Sequence, residues 1–300
     1  CARLISRPRF VTTPRMLTIE NLSVRVAGRL LIDGASVRVP AGSRTGLVGR
    51  NGTGKTTLFN VITGDLAPES GTLTVRQRAR VGHLLQEAPS GPDSLIDVVL
   101  AADRERASLL AEAEHATDAG RIAEIHTRLA DIEAHSAPAR AASILSGLGF
   151  SPADQARAVS EFSGGWRMRV ALAAVLFSAP DLLLLDEPTN YLDLEGTLWL
   201  EDHLARYPHT VIVISHDRDL LDNAVDSILH LENGKLTFYR GGYSLFERQR
   251  RERQMLDAKF AKKQEAQRKH LQAFVDRFRA KATKARQAQS RLKMLAKLEP

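Results

Sequence analysis

The stretch Gly49-Arg50-Asn51-Gly52-Thr53-Gly54-Lys55-Thr56 constrains this chain more than any other. It matches G-x-x-x-x-G-K-[ST] and lies where such a loop must lie. A short apolar segment at 44–48, read as a buried strand, precedes it, and an apolar-periodic segment at 55–63, read as a helix, follows it. Glycines at 49, 52 and 54 let the backbone turn with its N–H groups facing inward. Those amides, with the positive end of the following helix, make a cage for phosphate oxygens. Lys55 can reach the terminal phosphates of a nucleotide, and the Thr56 hydroxyl can ligate Mg²⁺. A glycine-rich turn without a ligand is the plainer alternative, and the rest of the sequence decides between them.

Further signals follow in order. Gln86 closes a strand-like segment at 80–85, some thirty residues after Lys55. A neutral amide there can touch both a metal and an attacking water, although alone it reads as a surface residue. Phe162-Ser163-Gly164-Gly165-Trp166 opens an amphipathic helix. Ser163 suits its N-cap, and the exposed amides after it can bind an anion; a plain helix cap fits equally well. Four leucines at 182–185 read as a buried parallel strand that delivers Asp186 and Glu187 to its end. Asp186 can support Mg²⁺ together with Thr56, and Glu187 can orient and polarise water toward a γ-phosphate. A solvated turn would also carry two acids, but not downstream of a phosphate loop. Asp193 follows, where it could bridge to a partner domain. His216, after an apolar strand at 211–214, is placed to sense the γ-phosphate.

The remaining segments frame these motifs. Alternating apolar residues between Met16 and Val39 read as antiparallel strands, with further short strands at 72–75 and 80–85. Residues 94–149, rich in Ala, Leu, Glu and Arg, read as helices. Segments 227–231 and 236–239, joined through Asn233-Gly234, read as a hairpin. Gly241-Gly242 marks a boundary, after which the chain is helical and charged.

Together these motifs closely resemble the ATP-binding cassette family, over Met16 to about Tyr239. The resemblance implies an α/β P-loop NTPase of cassette type: a parallel sheet core, an antiparallel β subdomain and a helical subdomain at about 94–178. It implies that residues 49–56, extended to Thr57, bind ATP, and that Thr56, Asp186 and Gln86 surround Mg²⁺. It assigns catalytic roles to Glu187, His216 and Gln86, so that the chain is an ATP hydrolase. It further implies that Ser163, Gly164 and Gly165 act on a nucleotide held by a second cassette. One departure concerns the base. The family often stacks an aromatic on adenine just before Gly28, where this chain has Val26 and Ala27.

Within that family, Trp166, Arg167-Met168-Arg169 and Asn190-Tyr191-Leu192-Asp193 resemble the first half of an ABC-F protein, nearest to the bacterial YheS-type branch. That class carries two cassettes in one chain, no membrane domain, and a helical linker between the cassettes. The net charge of +7 is concentrated accordingly. Residues 241–298 hold seventeen Lys/Arg and five Asp/Glu, an excess of twelve, which leaves the rest of the chain negative by five. Such an excess suits nucleic-acid phosphates, because a solvated coil usually mixes both signs; the latter remains the plainer alternative.

Leu271, Phe274, Val275 and Phe278 form an apolar stripe, with Leu256 and Phe260 before it and Leu292, Leu295 and Leu298 after it. A basic antiparallel helical hairpin over 243–298 is expected, with Arg279, Lys281, Lys284, Arg286 and Arg291 at its exposed end. The resemblance gives them tRNA or rRNA as a target on the ribosome. Rival readings are the energising subunit of a membrane transporter and a DNA-handling cassette.

Composition sets the remaining bounds. Hydrophobic content of 43% with 26% charged residues is that of a globular chain. Cys1 is the sole cysteine, which fits a reducing cytoplasm, and no apolar run approaches the roughly 18 residues that span a bilayer. Met16 is expected to be the start, with 1–15 an upstream extension that is not native or is disordered. The whole is expected to be the N-terminal part of a two-cassette protein, slow in hydrolysis unless it self-associates.

Overall fold

The computed structural model describes residues 14–84 and 88–278, with side chains through 273. Calls on Gln86, Arg279, Lys281, Lys284, Arg286 and Arg291, on the apolar stripe from Phe274 onward, and on the first thirteen residues therefore lie outside what is described. The chain divides into two compact units, residues 1–243 and 244–300.

The first unit opens with strands β1 (Arg15–Val26), β2 (Arg29–Pro40) and β3 (Arg44–Val48), then helix α1 (Lys55–Thr63) and strands β4 (Ser70–Val75) and β5 (Val81–His83). Helices α2 (Leu95–Ala101), α3 (Arg104–His115), α4 (Ala119–Asp131), α5 (Ala137–Gly147), α6 (Pro152–Gln155) and α7 (Gly164–Phe177) follow. The unit ends with β6 (Leu182–Asp186), α8 (Leu194–Ala205), β7 (Thr210–Ile214), α9 (Arg218–Asn223), β8 (Ser227–Glu232) and β9 (Lys235–Arg240).

Two sheets result. An antiparallel sheet runs β2-β1-β4, and a six-stranded sheet runs β5-β6-β7-β3-β8-β9, parallel except for β9, which returns antiparallel to β8 through Asn233-Gly234. The central strands β3, β6 and β7 are buried along nearly their whole length, as apolar runs covered on both faces must be. In β1 Met16 is buried at the strand's start, and the alternating buried positions are Leu17 and Ile19, then Leu22 and Val24. The alternation jumps phase between Ile19 and Leu22, where the pairing with β2 shifts register and Asn21 takes φ +49°. An extra residue is thereby inserted without turning the apolar face outward. One core joins both sheets: Leu17, Ile19 and Ile32 pack with Leu47, Leu58, Phe59, Leu184 and Ile212.

The helical segment between β5 and β6 is better covered in some parts than others. Helix α7 buries Met168, Val170, Leu172, Ala173, Leu176 and Phe177, whereas α3 buries no side chain and α4 only Ile125. Exposed ion pairs, Arg121–Glu112 at 2.6 Å and Arg128–Glu105 at 2.6 Å, link these two outer helices. The second unit is described over α10 (Tyr243–Phe278), whose 36 residues make a rod about 54 Å long. Met255, Leu256 and Phe260 on it are exposed.

Candidate active site

The carboxyl ends of β6, β3 and β7 lie side by side, and the site residues leave from them. This edge is where open parallel sheets place ligands. After β3 the loop 49–54 turns into α1 with Gly54 at φ +106°, and a Cβ there would meet Leu31 Cβ at 3.2 Å. The backbone conformation strains any side chain there, and the space is tight. Because Gly54 offers no side-chain cap, the first N–H groups of α1 keep their hydrogen-bonding capacity. Lys55, nearly buried, donates from Nζ to the carbonyls of Gly49 at 3.0 Å and Arg50 at 3.4 Å, so the lysine spans its own loop. Thr53 Oγ1 donates to Arg50 O at 2.8 Å and tightens the same turn.

Opposite the loop stands the acid pair. Thr56 Oγ1 donates to Asp186 Oδ2 at 2.6 Å. Glu187 begins a short turn at φ +46°, a conformation that costs a non-glycine residue energy and is typical of functional sites. Its N–H is tied to Ile214 O at 2.9 Å. Its Oε2 accepts from the backbone N–H of His216 at 3.3 Å, and its Oε1 lies 3.5 Å from His216 Nε2. His216 Nε2 is also 3.0 Å from Asn51 Oδ1, which links the loop through the histidine to the carboxylate. Burial pushes the Glu187 carboxyl above the usual carboxylate range, against the opposing pull of His216.

These groups line one cleft of about 480 Å³, which includes Lys55, Thr56, Thr57, Asp186, Glu187 and His216. A smaller cavity of about 220 Å³ adjoins it through Thr56 and Asp186, with His83 and Leu84 in its wall. The structure thus gathers Gly52, Gly54, Lys55, Thr56, Thr57, Asn51, Asp186, Glu187 and His216 at one place. Ser163, Gly164 and Gly165 stand apart, exposed at the start of α7, and do not line the cleft. Ser163 occupies the N-cap position, but its side chain makes no capping hydrogen bond, contrary to the simple cap reading. Asp193, by contrast, caps α8 through Gly196 N–H at 2.9 Å.

Leu31 and Asn190, which also line the cleft, escaped the sequence reading. Leu31 comes from β2, in the other sheet, and no local pattern marks it. Asn190 carried a signal, since it stands three residues after Glu187.

Comparison with known proteins places the chain. A family model described as ABC transporter matches residues 32–190, and a second with that description matches residues 229–300. The probable ATP-binding protein YheS of Escherichia coli (strain K12) is 45% identical over 287 residues, covering 95% of this chain and 45% of that protein. ATP-binding cassette sub-family F member 3 of Homo sapiens is 43% identical over 293 residues, covering 93% and 40%. The chain thus spans less than half the length of these curated relatives. Among solved structures, the ATP binding subunit of an ABC transporter superposes with a TM-score of 0.57 at 17% identity, over 78% of this chain and 92% of that one. A bacterial Atm1-family ABC exporter with ATP bound gives 0.56 at 22%, over 82% and 42%. At such identities the likeness is one of fold. Motif order, sheet topology and sequence identity converge: this chain belongs to the ABC transporter family of ATP-binding cassettes, in its F sub-family.

Proposed function

We propose that this chain binds and hydrolyses Mg-ATP and acts in the cytoplasm as part of a ribosome-associated translation factor. The observation that carries the nucleotide reading is the single cleft holding the glycine loop, Lys55, the Thr56–Asp186 pair and Glu187 with His216. Uncapped amides at α1 and the Lys55 ammonium suit the phosphates. The donor set suits Mg²⁺, which prefers hard oxygens and takes much of its shell from phosphates and water. Thr56 and Asp186 supply two such oxygens, and among the described residues no group of three or more His, Cys, Asp or Glu forms a ready-made cage for another metal. When bound, the ion would supply positive charge at the phosphate oxygens.

The protein's part in hydrolysis is then positioning. Glu187 holds and polarises the attacking water, and His216, tied to Glu187 and Asn51, fixes that carboxylate relative to the loop. Gln86 is proposed to complete the metal and water site. Ser163, Gly164 and Gly165, exposed and outside the cleft, are proposed to cover the phosphates of a second cassette, in the remainder of a longer chain or in a dimer mate.

The ribosome reading rests on the F sub-family membership and on the excess of twelve positive charges over residues 241–298. Arg279, Lys281, Lys284, Arg286 and Arg291 are the proposed contacts to tRNA or rRNA phosphates. Among the described residues no helix is long and apolar enough to cross a membrane.

Co-sedimentation tests this reading. A Glu187→Gln variant with ATP is expected to pellet with ribosomes and to release in RNase or high salt. A variant that holds ATP yet stays in the supernatant, or that is recovered with membranes instead, would overturn the ribosomal role.

A further inference from the structure

Arg169 stands on the second turn of α7 and is 9% exposed. A guanidinium removed from water is costly unless its donors are met. Here Nε and Nη1 find three acceptors on two separate stretches of chain. Nε donates to Tyr191 O at 2.6 Å, and Nη1 donates to Leu148 O at 3.2 Å and to Asp193 Oδ2 at 3.0 Å. The guanidinium also lies 4.3 Å over the Trp166 ring, one turn back on the same helix. Trp166 packs against Phe150 at 5.1 Å between centroids. The close approach needs Gly149: it has φ +96°, and a Cβ there would lie 3.0 Å from Arg169 Nη1.

Two of the acceptors, Tyr191 and Asp193, lie at the end of the turn that Glu187 begins and just beyond it. That turn is a single short helical coil, Pro188–Tyr191, closed by Asn190 N–H to Glu187 O at 3.2 Å and Leu192 N–H to Thr189 O at 3.1 Å. So short a coil has little slack between its ends. Glu187 is held at one end by His216 and Ile214, and Tyr191 and Asp193 are held at the other by Arg169. The same arginine rides on the helix whose first residues are Gly164 and Gly165.

We infer that Arg169 is a positioning residue: it locks the Glu187 turn to the start of α7, so that whatever engages Ser163, Gly164 and Gly165 also adjusts the Glu187 carboxylate. This rests on the ATPase reading above. Lysine cannot substitute, because the role needs a flat ion that stacks on Trp166 while its donors reach three acceptors in different directions.

The test uses the full chain as wild type, Arg169→Met, Arg169→Lys and Asp193→Asn. The last variant is mild. Asparagine still caps α8 through the oxygen facing Gly196, but it removes the charge facing Arg169. Mg-ATP affinity by calorimetry, steady-state turnover and tryptophan emission are measured on each, with melting curves to confirm folding. Affinity is expected to stay within twofold throughout. Turnover is expected to fall tenfold or more in Arg169→Met and Arg169→Lys and several-fold in Asp193→Asn, with the Arg169→Met/Asp193→Asn pair no slower than Arg169→Met alone. Mg-ATP is expected to change indole emission in wild type and not in Arg169→Met. Folded variants that turn over like wild type, or additive losses in the pair, would overturn the inference. Failure of the wild type to take up Mg-ATP would instead remove the ATPase reading, and this inference with it.

Discussion

Thr56 and Asp186 lie 130 residues apart in the sequence, and a 2.6 Å hydrogen bond joins them across the cleft. The hydroxyl in the first turn of α1 and the acid that closes β6 are thus brought together, as the proposed Mg²⁺ site needs. Asp186→Asn keeps the shape and removes the charge. It is expected to weaken binding of Mg-ATP tenfold or more, about 1.4 kcal/mol, and to leave binding of ATP in EDTA nearly unchanged. Titration calorimetry with and without the metal reads the difference; equal losses under both conditions would speak against a metal role.

Lys55→Ala removes both the charge proposed to face the phosphates and the bonds to Gly49 and Arg50. Charge-assisted hydrogen bonds contribute about 1.5–3 kcal/mol, so nucleotide affinity is expected to fall by roughly ten- to a hundredfold. Circular dichroism should show an unchanged fold. Affinity within twofold of wild type would contradict the proposed site.

Glu187→Gln is expected to bind Mg-ATP as well as wild type and to lose turnover by at least about a hundredfold, in line with loss of a general base. Rapid-quench measurement of phosphate release separates the two effects. A variant that loses binding in parallel would make Glu187 a structural residue.

His203 reports on pH. It is stacked on Trp199 at 4.9 Å between centroids, and burial lowers its pKa below the ordinary value, with Asp202 opposing. A histidine depressed in the folded state leaves the unfolded chain binding more protons. Stability from this residue is therefore complete above about pH 6.5, the unperturbed value, and is lost as the pH falls from there through the folded-state pKa. Urea melts at pH 7.5 and 5.5 should show that loss, and His203→Gln should reduce it. An unchanged pH dependence in the variant would refute the assignment.

Leu184 and Leu194 make a contrast in the core ledger. Leu184 is fully buried in β6, and Leu194 is 74% exposed on α8. Leu184→Ala is expected to cost about 2–5 kcal/mol, whereas Leu194→Ala should stay within about 0.5 kcal/mol. Denaturant midpoints of the two variants test the burial directly.

Much of this architecture was legible because its signals are local. The run 182–185 announces a buried strand, and Gly54 followed by Lys55 announces a turn into a helix. Even the bulge in β1 is written in the spacing of Leu17, Ile19, Leu22 and Val24, two residues then three then two. The cluster of loop, acids and histidine followed from motif order. What escaped was set by tertiary packing. Leu31 reaches the cleft from another sheet, the strained φ of Glu187 arises from the turn behind it, and the grip of Arg169 on Tyr191 and Asp193 links elements more than twenty residues apart. The Ser163 cap failed as a reading because a serine at a helix start has the right chemistry whether or not its hydroxyl turns inward.

The strand order has a consequence for how this protein is made. Strand β3, which carries the glycine loop, is flanked by β7 and β8, with Arg44 beside Val211 and Thr45 beside Ser227. During synthesis the loop is finished at Gly54, yet the neighbours that hold its strand begin only at Thr210 and Ser227. Until then β3 has two open edges and an apolar surface, the condition under which nascent chains recruit chaperones or aggregate. A slow stage of folding should therefore end with the docking of β8, and truncations that stop short of residue 232 should accumulate as insoluble or chaperone-bound material.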